Sequence, residues 1–327
     1  CPESAYAKLG AGEQPPVVRV TLAAGQVWDF VIEAVTRQRA FPGSRVAITG
    51  RSITCAAAAP YQPEQAWRIE GDTTAAQIAA AANIYTMLEV AWALQDWPVP
   101  DQVFSHTGTP LGVVKRVADA VEALVQSDRS AYLVNVLPRY PVLPNEWAVV
   151  APDVEVAMGA IASEGFDRRS QPEYDGVYLF GQREGAAALV KLSGTSGANL
   201  HPSITDELLT DDAACALRGA AVLGRSGEQQ DHSLRLPVLS GVGQPGVFDL
   251  NWLVRIVEPA ETWYGIVRRV QVEFSMAALS QSVGLERHTK LIAGTVAPPA
   301  LPPSLLLLQS ELRQIVIEID LPTRAAR

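Results

Sequence analysis

Gly241-Val242-Gly243-Gln244-Pro245-Gly246 spells GxGxxG, the glycine pattern with which a strand-to-helix loop holds a dinucleotide pyrophosphate. That chemistry needs a helix N-terminus directly behind the loop, so that free amide hydrogens and the helix dipole meet the phosphates. Here Pro245 precedes the last glycine, and Val247-Phe248-Asp249-Leu250 reads as a continuing strand. A hairpin loop between two strands fits this spacing better. A serine nucleophile needs G-x-S-x-G with a base in reach. Gly194-Thr195-Ser196-Gly197 and Gly224-Arg225-Ser226-Gly227 lack that spacing and read as turns.

His106, His201, His232 and His288 are far apart, with no paired histidine or carboxylate at metal-ligand spacing. Each reads as a loop or surface residue. The carboxylate clusters are Asp206-Glu207, Asp211-Asp212 and Glu318 with Asp320. Asp211-Asp212 begins a helical pattern, where acceptor oxygens cap free amides and complement the dipole. A glycosidase pair can be distant in the chain, so that alternative stays open here. Trp28, Trp67, Trp92, Trp97, Trp147, Trp252 and Trp263 form no basic–aromatic stripe for stacking single-stranded bases; packing is their expected use. No catalytic, cofactor-binding or metal-ligating residue is assigned, no cofactor is implied, and the chain is expected not to be an enzyme.

The elements that would position such groups are mostly strands. Val17–Leu22 alternates apolar and polar residues, the period of a half-buried strand. Arg45–Ile53 sets Val46, Ile48 and Ile53 around Gly50, a bulge or tight bend. Trp28–Val35 fits strand and helix patterns alike, and its poor capping favours strand. After the linker Pro60–Pro63, Asp72, Thr73 and Thr74 offer caps for a helix over Ala75–Ala82. Tyr85–Leu94 reads as a strand. Leu111–Val125 reads as an amphipathic helix capped by Thr109, with Pro110 at its first position. Ala131–Val136 follows as a strand, so 61–137 forms a small α/β unit. Pro138–Pro152 is a proline-rich extended crossing. Strands are then expected at Gly176–Phe180, Ala187–Leu192, His232–Leu239, Val247–Val257 and Ile266–Phe274, with a helix over Asp211–Leu223. A second proline cluster, Pro298–Pro303, precedes a last strand at Gln314–Ile319.

With 327 residues, 48% apolar and 19% charged, the chain can bury two or three cores of ordinary globular composition. Its net charge of −9 argues against a nucleic-acid binder, which needs cations to displace phosphate counterions. An acidic surface favours solubility and would suit a wall past which nucleic acid slides. Ile78–Leu94 is broken by Asn83 and Glu89, and Leu305–Leu308 is too short to span a bilayer. No membrane span is expected. Cys1, Cys55 and Cys215 form neither a disulfide framework nor a metal-binding pair, which fits a reducing compartment. A chain opening on Cys1 is expected to be a segment of a longer protein; lipoprotein processing before that cysteine is the alternative.

Four phrases carry a family resemblance. They are Val46-Ala47-Ile48-Thr49-Gly50-Arg51-Ser52; Trp67-Arg68-Ile69-Glu70 followed by Asp72–Ala79; Gly108-Thr109-Pro110-Leu111 with its helix, the strand Tyr132–Val136 and Pro138-Arg139-Tyr140-Pro141; and Tyr174–Gly181 with Thr205–Thr210 behind it. Their order and spacing over residues 16–275 resemble the tail hub (baseplate hub) proteins of long-tailed bacteriophages, Mu-like siphophages especially.

The resemblance implies an α+β, mainly β fold, with tube-forming, β-barrel-like domains flanking a small α/β domain. It implies part of a first tube-type domain over 1–59, the α/β domain and crossing over 60–150, a second tube-type domain with one helix over 151–290, and a C-terminal linker and strand over 291–327. It further implies a homotrimeric ring at the distal end of the tail tube. The distal tail protein, tape-measure protein and tail tip or fibre proteins would be its neighbours, and DNA would pass through without specific binding. The protein would belong to the virion tail tip and assemble in the bacterial host cytoplasm. Two other readings compete: a secreted carbohydrate-active or carbohydrate-binding β-protein, and a small-molecule enzyme built on 61–137. Both predict a monomer or dimer with a furnished cleft.

Overall fold

The computed structural model describes residues 15–22, 25–40, 43–182, 186–238, 245–274, 279–289 and 315–319. Strands β1 (Val17–Thr21), β2 (Val27–Ala40) and β3 (Gly43–Ser52) form an antiparallel sheet in the order β1-β2-β3. Trp28–Val35 is therefore strand, as its poor capping suggested. The β2–β3 register slips between Ile32 and Ala34, opposite Gly50 and Thr49; the bulge or bend expected around Gly50 is thus a bulge whose extra residue, Glu33, lies on the facing strand. A Cβ on Gly50 would lie 2.1 Å from the Val31 carbonyl oxygen, so only glycine permits that approach.

Next come β4 (Gln65–Arg68), β5 (Thr73–Thr74), helix α1 (Ala75–Ala81), β6 (Glu89–Trp92), β7 (Pro98–Val99), β8 (Ser105–Gly108), helix α2 (Pro110–Ala120), β9 (Leu124–Ser127) and β10 (Leu133–Leu137). Thr74 and Gln77 cap α1 reciprocally, at 3.4 and 3.2 Å. Thr109 caps α2 through the Gly112 amide at 3.2 Å, with Pro110 in the first turn. α2 stops at Ala120 rather than reaching Val125. Glu122 turns the chain with a left-handed φ of 53°, and Val125, on β9, pairs with Val136 of β10. Val125 kept the helical period only by coincidence. β6 is also shorter than Tyr85–Leu94, because 82–87 forms turns.

The rest comprises β11 (Val154–Ala157), β12 (Ser163–Arg169), β13 (Gly176–Gly181), β14 (Ala187–Leu192), β15 (Leu200–Asp206), helix α3 (Asp212–Gly224), β16 (Gln229–Pro237), β17 (Leu253–Val257), β18 (Thr262–Phe274), β19 (Leu279–His288) and β20 (Ile315–Ile319). A six-stranded sheet runs β11-β17-β18-β19-β16-β12, and a four-stranded one β15-β13-β14-β20. The expected strand over Val247–Val257 begins only at Leu253, since 247–252 is irregular. β11, β12, β15 and β19 were not anticipated. β12 and β15 are polar and become strands through cross-strand pairing, whereas β11 and β19 alternate Val154, Val156, Val283 and Leu285 into a core.

Helices α1, α2 and α3 pack with β10, β13 and β14 around Ile78, Trp97, Phe104, Leu179 and Leu208, all at most 2% exposed. A second cluster, with Leu234, Ile256, Val267, Val283 and Leu285, covers one face of the six-stranded sheet. Each such aliphatic side chain contributes about 1.5–3 kcal/mol on burial. With three helices against twenty strands among the described residues, the fold is α+β and mainly β. Its sheets are open there; none closes into a barrel. No helix among the described residues is long and apolar enough to cross a membrane.

Candidate functional site

The residues singled out for chemistry are largely occupied by structure. Gly241–Gln244 lie outside the described residues. Behind them no helix opens: Val247 exchanges hydrogen bonds with the Gln26 side chain at 2.9 and 3.2 Å, while Gln281 holds the Phe248 amide and the Gly246 carbonyl at 3.0 and 2.9 Å. Ser226 donates to the Leu223 carbonyl at 2.8 Å, and Ser196 accepts from the Ala198 amide at 3.3 Å. Both glycine-rich runs are turns, as expected. Asp211 caps α3 through the Ala214 amide at 3.0 Å. Asp206 and Glu207 both receive Arg116, at 3.0 and 3.2 Å.

The histidines depart from expectation. All four lie on strands (β8, β15, β16 and β19), and the side chains of His232 and His288 are only 4% and 2% exposed. Glu164 sits 2.7 Å from His232, whose ring stacks on Phe166 and lies 4.4 Å from Trp263. Among the described residues, no group of three His, Cys, Asp or Glu could hold a metal ion. Trp67, Trp97 and Trp147 each donate to a backbone carbonyl, at 2.8, 3.0 and 3.0 Å. Packing is their use.

Three features went unseen in the sequence. One is a buried charge network under the proline-rich crossing. Glu286 accepts from Tyr140 and, at 2.8 Å, from Arg268 Nε; His288 lies 3.0 Å away and Arg139 3.6 Å. Burial alone would raise the Glu286 carboxyl. The hydrogen bonds from His288, Arg268 and Tyr140, with the Arg268 charge, outweigh it and hold the group well below the usual carboxylate range. Burial, with Glu286 beside it, pushes the Tyr140 hydroxyl far above its ordinary value. This network borders a polar cleft of about 880 Å³. A carboxylate held charged by several donors is a poor proton donor, so the cleft's deepest acid suits a structural anchor better than acid catalysis.

The second feature is an apolar groove of about 550 Å³ lined by Val20, Trp28, Phe30, Val270, Val272 and Phe274. Arg129 lies over the Trp28 ring at 4.9 Å and pairs with Asp249 beside it. Phe274 is 79% exposed and Phe30 37%. The third is a pair of outer strands. β1 edges its sheet, and every residue of β12 is exposed at the edge of the six-stranded sheet, Phe166 to 59%. Such edges present backbone donors and acceptors to a further strand.

No family model and no curated protein matches this sequence. Solved structures do. A tail protein from Neisseria meningitidis MC58 superposes with a TM-score of 0.56 at 11% identity, over 85% of this chain and 85% of that one. The 43 kDa tail protein of prophage MuSo2 from Shewanella oneidensis gives 0.55 at 13% identity, over 84% and 83%. The chain shares the fold of these tail proteins.

Proposed function

We propose that this chain is a structural subunit of a phage tail, forming a trimeric ring at the distal end of the tail tube. The observation that carries this reading is the fold held in common with two tail proteins along nearly the whole of both chains. In this reading 1–59 and 151–290 are the tube-type units and 60–150 the smaller unit between them. The ring joins the tube and distal tail protein to the tape-measure protein and the tip or fibre, and DNA passes through it. The protein resides in the virion and is assembled in the host cytoplasm.

The surface supports the reading. An apolar groove and strand edges at β1 and β12 are what a subunit brings to a closed ring, where a second copy covers them. The role is structural rather than catalytic, in keeping with a buried acid that is already saturated with donors.

The molar mass of the purified protein tests this. Light scattering is expected to give three times the chain mass, and a particle map three copies about the tail axis. A protein that stays single at assembly concentrations, or a particle with another copy number, overturns the proposal.

A further inference from the structure

The six-stranded sheet has two unlike faces. Alternate residues Leu234, Val283 and Val267 point into the second core. On the other face, toward the β12 edge, Gly165, Ser233 and Gly284 lie in register across β12, β16 and β19, and Ser282 follows two residues away on the same face of β19. None of these four is fully buried. Arg169, Arg235 and Arg269 stand here among Asp167, Asp231 and Glu273, and where the face floors the polar cleft Arg139 and Arg268 meet Glu286 while Arg225 meets Glu122. Arg169 pairs with Asp231 at 2.6 Å and Arg235 with Glu273 at 3.2 Å. Gln271 bridges Arg269 to Glu273, at 3.5 and 3.1 Å. Every arginine named here except Arg269 stands in an ion pair, on a chain of net charge −9.

We infer that this face is the wall of the channel, and that its self-paired charges and small side chains let duplex DNA pass without being gripped or repelled. The inference rests on the hub reading and deepens it. A duplex grips a protein mainly by exchanging condensed counterions for arginine and lysine. Arginines already paired with carboxylates, as all but Arg269 are here, offer less of that exchange. Serine and glycine carry no charge, so they add no counterion exchange of their own.

Ser282→Cys in a Cys1→Ser chain tests the placement, since Cys55 and Cys215 are buried. In the trimer, biotin-maleimide is expected to label Cys at 282 fully, while streptavidin fails to capture the product until the ring is dissociated. Capture by the intact trimer would put the face outside and overturn the inference, leaving the hub reading standing. Failure of the small reagent itself would mean the face is covered by protein, with the same consequence. A single-chain mass would remove the hub reading, and the inference with it. For neutrality, the wild-type trimer should not retain duplex DNA at low salt, whereas Ser233→Arg with Ser282→Arg should retain it and release it as salt rises. Salt-dependent retention by the wild type overturns the neutral wall.

Discussion

Tyr140, on the proline-rich crossing, donates its hydroxyl hydrogen to the Glu286 carboxylate on β19, although 146 residues separate them. The Arg268 guanidinium lies over the same tyrosine ring at 4.7 Å and donates to the same carboxylate. The crossing is thereby tied to the six-stranded sheet by charge-assisted bonds away from water.

Removing the carboxylate should cost more than removing the phenol. Tyr140→Phe leaves Glu286 with Arg268 and His288 and should cost about 1.5–3 kcal/mol, as loss of a hydrogen bond to a charged group does. Glu286→Leu strands Arg268 in a buried site and should cost about 3–5 kcal/mol. Urea unfolding checks both, and equal costs would show that Glu286 does not anchor the cluster.

The same carboxyl sets an acid dependence. Its folded-state pKa is held below the unfolded value, so its contribution is full above the ordinary glutamate value of about 4.3. It declines as pH falls below that, where the unfolded chain takes up the proton first. The midpoint gap between wild type and Glu286→Gln should therefore be widest near neutrality and shrink in acid. A gap constant with pH would contradict this.

Two glycines are fixed by close approach rather than by turn geometry. Gly219 on α3 lies so near β14 that a Cβ would stand 2.4 Å from Val190 Cγ1, and Gly50 faces a backbone oxygen. Gly50→Ala should destabilise by roughly 1–3 kcal/mol, as overpacking does. Gly219→Ala should cost less, because alanine recovers up to about 1 kcal/mol of helix propensity. Gly165→Ala, with nothing within 4 Å of the new Cβ, is the control and should stay within about 0.5 kcal/mol. Thermal melts rank the three.

The apolar groove should matter to association more than to folding. Phe274→Ser removes a ring that is 79% exposed, so the melting temperature should barely move. Self-association, followed by sedimentation, should weaken about tenfold or more, a loss of about 1.4 kcal/mol. Unchanged assembly would mean that the groove is not a subunit contact.

Local signals were legible wherever a short stretch decides its own fate. The caps at Thr74, Thr109 and Asp211 work through oxygens one turn away, and the bulge opposite Gly50 and the strand at Ala187–Leu192 lie where their residue types place them. Errors came where local pattern and pairing disagreed. Val125 kept a helical period but pairs with Val136, while Ser163–Arg169 has no apolar alternation and is a strand because β16 lies beside it. The site surfaces were illegible for the same reason.

The residue order by itself determined the mainly β class, the three helices with their starts, and turns rather than reactive serines at the glycine-rich runs. Those outcomes depend on neighbours within a few positions. Only the tertiary structure decided that Tyr140 meets Glu286, that Val20 and Phe274 share a groove, and that Arg169 and Arg235 meet Asp231 and Glu273 on one face. Each of these joins residues tens to hundreds of positions apart, and such meetings are set by strand register and sheet order, which no local period encodes.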